Sequence, residues 1–112
     1  MNLRRPYYVL GLDGEPVQVD DVLVWAEWFE STDRLVAVTA IGRHGRVSTV
    51  FLGIDHNFYG GPPVLWETMT FGVPGLQYEQ DRYTSRAAAV AGHAEAVAHA
   101  QLALQVSEVH AL

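Results

Sequence analysis

Cysteine is missing from all 112 residues, and with it go disulfide frameworks, thiolate metal sites and cysteine nucleophiles. The absence suits a reducing cytoplasm. Lysine is missing too. The seven basic residues are all arginine (Arg4, Arg5, Arg34, Arg43, Arg46, Arg82, Arg86) and lie scattered along the chain. Set against 13 acids, they leave a formal charge of −6. Affinity for nucleic acid comes largely from clustered bases neutralising phosphates, so nucleic acid is not expected as a partner. Long apolar runs are also lacking: none approaches the ~20 residues of a membrane span, and no apolar stretch of signal-peptide length follows Arg4-Arg5. The chain is therefore expected to stay in the cytoplasm, off the membrane.

What is present describes a folded domain. Hydrophobic residues make up 49% and charged residues 18%, which argues against disorder. Three Trp, five Tyr and four Phe supply core volume without covalent staples. A chain of this length has room for one domain, residues 1–112.

Asp13-Gly14, between the runs Tyr7 to Leu12 and Glu15 to Val19, signals a β-hairpin with a two-residue turn. Asp20-Asp21 then caps a helix, on which Val22, Trp25, Ala26 and Phe29 share one face. Val24 and Trp28 form a second apolar pair, read either as cover from a neighbouring element or as an interface for a homo-oligomer. Leu35 to Ile41 and Val47 to Ile54 are nearly continuous β-branched runs, expected as a hairpin covered on both faces. Val64 to Phe71 makes a further strand. The polar stretch from Gly75 to Tyr83 reads as irregular. Thr84 or Ser85 caps a last helix to about Val106, with a stripe through Val90, Ala94, Val97, Gln101 and Leu104. Its alanines allow close approach to a sheet or to a second copy. The order β-β-α-β-β-β-α predicts an α+β fold, a small antiparallel sheet of about five strands with two helices packed on it.

The residues best placed for function lie on the loop that joins two strands, Asp55-His56-Asn57-Phe58-Tyr59-Gly60-Gly61-Pro62-Pro63, and at Trp66-Glu67 beyond it. Asp55, His56 and Glu67 combine a base with a proton shuttle, and Asn57 adds hydrogen-bonding groups. Phe58, Tyr59 and Trp66 could line a pocket. The same residues also have structural uses, because Asp and Asn are turn formers that bond nearby amides. No metal or cofactor is expected. His93 and His99 stand about 120° apart around a helix, there is no H-E-x-x-H, and no glycine-rich phosphate cradle occurs. Gly92 in mid-helix predicts a strand or aromatic ring crossing there, with His93 bonded nearby.

The block Arg46-Val47-Ser48-Thr49-Val50-Phe51-Leu52-Gly53-Ile54-Asp55-His56-Asn57-Phe58 resembles small uncharacterised proteins of bacteriophages and prophages. So do Gly61-Pro62-Pro63 with Trp66-Glu67-Thr68-Met69, Phe71-Gly72, Arg82-Tyr83-Thr84-Ser85 and Ala91-Gly92-His93. That resemblance implies expression in a bacterial host cell and brings no activity or catalytic residue with it. The expected function is an accessory role through non-covalent binding of a host protein or a small molecule. A hydrolase built on Asp55, His56 and Glu67, or a self-assembling particle component, are the alternatives.

Overall fold

The computed structural model describes residues 5–110; Arg4, at the edge of the N-terminal segment considered above, lies outside them. The chain opens with the expected hairpin, β1 (Tyr8–Leu10) and β2 (Pro16–Gln18), with Val9 opposite Val17. Its turn is longer than predicted. The Gly11 amide donates to the Glu15 carbonyl at 2.8 Å, and of the residues between them only Gly14 has a positive φ. This is a three-residue loop with glycine in the left-handed position. Asp13 needs no such conformation and accepts the Glu15 amide on its carboxylate.

Helix α1 (Val22–Ser31) follows, capped by Asp21 through the Leu23 amide. The Trp25 indole donates to the carbonyls of both Tyr8 and Gly53, and its ring packs between Tyr7 and Phe29. Val22, expected on the buried face, is exposed, whereas Trp28 stands edge-on to buried Phe51. The helix packs on β1 and the Phe51–Gly53 end of the sheet, so it buries its broad aromatic rings there.

The main sheet runs in the order β3 (Leu35–Ile41), β4 (Gly45–Phe51), β5 (Trp66–Phe71) and β6 (Gln80–Tyr83), antiparallel throughout. The α+β class is as expected, but the order is β-β-α-β-β-β-β-α, with six strands in two sheets. β6 lies in the stretch read as irregular. Gln-Asp-Arg-Tyr has little intrinsic strand preference and takes this form by pairing with the free edge of β5, Asp81 opposite Thr68. Its charged residues also suit an exposed edge.

Helix α2 (Arg86–His110) starts at Ser85, whose Oγ accepts the Ala88 amide, and crosses one face of the sheet. The β3–β4 hairpin is thus covered on one face only; Val38, on the other, is 53% exposed. On the covered face, Val47, Thr49 and Phe51 lie beside Thr70, Thr68 and Trp66. The helix presents Ala89, Gly92, His93 and Ala100 to them, all buried, while Val90 and Gln101 of the expected stripe are exposed. Val97 and Leu104 of that stripe do pack against the cluster of Ile41, Val47, Val73 and Ala100, while Ala94 is exposed like Val90 and Gln101, so the expected stripe is offset from the packed face.

Two apolar clusters result, Phe51, Leu65, Trp66 and Ala89 in one, Ile41, Val47, Val73 and Ala100 in the other. Each large aliphatic or aromatic side chain buried there contributes on the order of 1.5–3 kcal/mol.

Candidate functional site

A polar belt of Thr39, Thr49, Thr68 and His93 also lies on the α2-covered face. His93 Nε2 bonds Thr39 Oγ1 at 2.8 Å, and Nδ1 bonds Thr49 Oγ1 at 2.8 Å. Thr49 Oγ1 meets Thr68 Oγ1 at 2.6 Å. A neutral imidazole offers one donor and one acceptor, and the hydroxyls supply the complements. Burial also lowers the His93 pKa below its ordinary 6.5. With both ring nitrogens engaged, His93 has no lone pair left for a reacting group.

Thr68 links this belt to a cleft of about 280 Å³ between α2 and the β5–β6 edge. Two periodicities build it. Along β6 and the residue before it, Glu79, Asp81 and Tyr83 recur at the strand period of two. Along α2, Gly92, Glu95, Ala96 and His99 recur at three, four and seven, one face of a helix. Thr68 and Thr70 of β5 form the floor. Gly92 lets the two walls meet: a Cβ at that position would collide with the Tyr83 ring and hydroxyl. The predicted aromatic crossing is therefore present, and the ring is Tyr83.

The lining is rich in acceptors. Glu79, Asp81 and Glu95 are carboxylates, and no arginine joins them. Arg82 turns to the opposite face of the sheet, where it pairs with Glu67 at 3.0 Å. His99 Nε2 lies 3.6 Å from Glu79 Oε2, linking helix to strand across the cleft. Thr70 is only 4% exposed, yet its hydroxyl has no hydrogen-bond partner among the described residues, and neither has the Tyr83 hydroxyl. Among the described residues, no three His, Asp or Glu side chains are grouped closely enough to hold a metal ion.

The residues singled out in the sequence are placed elsewhere. Asp55 is buried, and its Oδ1 accepts the amides of Asn57 and Val64 at 2.8 and 2.9 Å, tying the two ends of the loop together. Asn57 donates to the Pro62 carbonyl and accepts the Tyr59 amide. His56 Nδ1 donates to the Ile54 carbonyl, which fixes the ring. Phe58 and Tyr59 are 73% and 99% exposed and line no shared pocket with Trp66, which is a core residue. Glu67, next to Trp66 on β5, faces the other side of the sheet and bonds Gln80 and Arg82. None of Asp55, His56 and Glu67 lines the cleft. Of the two interface candidates, Val24 is exposed and Trp28 is taken up by the core. Of the alanines of α2, Ala89 and Ala100 are buried, whereas Ala87, Ala88, Ala91, Ala94 and Ala98 are exposed.

No known family model matches the chain, and no curated protein or solved structure matches it. No helix among the described residues is long and apolar enough to cross a membrane.

Proposed function

We propose that this is a small non-covalent binding protein whose cleft between α2 and β5–β6 holds a small polar molecule. Thr70 carries the reading. The residue is 4% exposed, and its hydroxyl, with no partner among the described residues, opens on the cleft, where a ligand group can bond it. Binding is favoured over catalysis because His93, behind the cleft, is held at both nitrogens by threonine hydroxyls, and His99, in the lining, faces the Glu79 carboxylate with no hydroxyl bonded to it among the described residues. The sequence resemblance to phage and prophage proteins supports an accessory role in a bacterial cell.

Native mass spectrometry of protein exposed to a bacterial metabolite extract tests this. The expected result is a retained low-mass species that Thr70→Val, which keeps the side-chain shape, largely abolishes. Retention of nothing, or of a species indifferent to Thr70→Val, would remove the function from this cleft. So would capture of a host protein alone.

Self-association is a second reading, supported by a different surface. Leu102, Val106 and Val109 follow one another at spacings of four and three near the end of α2, and are 59%, 48% and 67% exposed. Pro74, Leu76 and Ala103 line the adjoining apolar groove. Pairing of two copies through this stripe would bury it. Size-exclusion chromatography with light scattering is expected to show a dimer that Val106→Glu converts to monomer. A wild-type monomer at all concentrations would end this reading.

A further inference from the structure

We infer that the ligand of the cleft is an organic cation, a compact amine or guanidine, an inference that rests on the binding role proposed for the same cleft. Its lining offers negative charge and acceptors in excess of donors. Glu79, Asp81 and Glu95 supply three carboxylates, and His99, beside Glu79, is the only lining side chain able to carry positive charge. An ammonium or guanidinium group is donor-only, the complement of such a lining. Carboxylates alone would describe any acidic surface. Thr70, a residue only 4% exposed on the cleft floor, adds a hydroxyl with no partner among the described residues, able to accept from a ligand, and the Tyr83 hydroxyl adds a second.

Other ligand classes fit less well. A phosphate or carboxylate would enter against three like charges, with no arginine or lysine in the lining to offset them. A metal ion would need several ligands converging within coordination distance. Among the described residues no three His, Asp or Glu side chains do so. The carboxylates are instead distributed over both walls, Glu79 and Asp81 on the strand side and Glu95 on the helix. This arrangement suits a molecule with donors spread along its length. The volume of about 280 Å³ suits a small ligand.

Isothermal titration calorimetry with four probes of similar size tests the class: 1,4-diaminobutane, agmatine, butane-1,4-diol and succinate. Magnesium chloride serves as a fifth. The two cations are expected to bind, with affinity falling as salt is raised. Diol, succinate and magnesium should bind at least about tenfold more weakly, the scale of one charge-assisted hydrogen bond. Glu95→Gln and Asp81→Asn keep shape and remove charge, and each should weaken cation binding by about tenfold. Glu108→Gln, on the helix but outside the cleft, should leave it unchanged.

If the diol or succinate binds as well as the amines and Thr70→Val weakens it, the cation assignment fails while the binding role stands. Should no probe bind, yet a metabolite be retained in a Thr70-dependent way, the assignment again fails alone. If nothing binds in either experiment, both are overturned. Amine binding unaffected by Glu95→Gln and Asp81→Asn places the cation elsewhere and also contradicts the inference.

Discussion

His93 shows how one buried polar side chain can be read twice. As structure, it satisfies Thr39 and Thr49 on the face of the sheet that α2 covers. As a titrating group, it is held neutral by burial, with its pKa below the ordinary 6.5. The unfolded chain therefore takes up this proton first as pH falls. Stability from this site is complete above about 6.5 and is lost as pH drops from there toward the folded value. Urea midpoints at pH 7.5 and 5.5 are expected to show a smaller acid-induced drop in His93→Gln than in the wild type. That difference isolates His93 from the other four histidines. An equal drop in both proteins would contradict the neutral, threonine-bound assignment. Asp55 is the converse case: its residue type suggested chemistry, and its bonds to two amides give it a loop-closing role.

Between elements, the decisive contact is Gly92 against Tyr83. Alanine would favour the helix by about 1 kcal/mol over glycine in isolation. Here its methyl group would collide with the Tyr83 ring, so Gly92→Ala is expected to lower the melting temperature. In a Tyr83→Ala background the same change should be neutral or stabilising, and a double-mutant cycle measures the coupling. A destabilisation of equal size in both backgrounds would place the clash elsewhere. The glycine was legible in the sequence as a point of close packing; its partner was not. Tyr83 sits in a strand that exists only because β5 offers an edge, and Gln80-Asp81-Arg82 carries no local signal for that pairing. The same gap hid the cleft. Glu79, Asp81 and Tyr83 share a face only once β6 is known to be a strand. Local signals did reveal the first hairpin, α1, β3, β4 and β5: a turn dipeptide, a capping Asp and runs of β-branched and apolar residues. The packed face of α2 was legible in part: Val97 and Leu104 pack on the core, but Ala89, Gly92, His93 and Ala100, which are buried beside them, carry little apolar signal.

Over the whole molecule, the long α2 connects these features. With 25 residues it spans about 37 Å, covering the apolar clusters and the polar belt and then carrying Val106 and Val109 to its exposed end. The resulting shape is elongated, 59 × 29 × 21 Å, with a radius of gyration of 16.5 Å against about 13 Å for a compact chain of this size. One flank of α2 forms the helix wall of the acidic cleft, where binding is proposed, and the Asp55–Pro63 loop is held by its own internal bonds. Residue-resolved NMR decides between them. Amide and side-chain shifts of ¹⁵N-labelled protein, titrated with a bacterial metabolite extract, should move at Thr68, Thr70, Asp81, Tyr83, Gly92, Glu95 and His99. Shifts confined to His56 through Tyr59, or no shifts anywhere, would contradict the account.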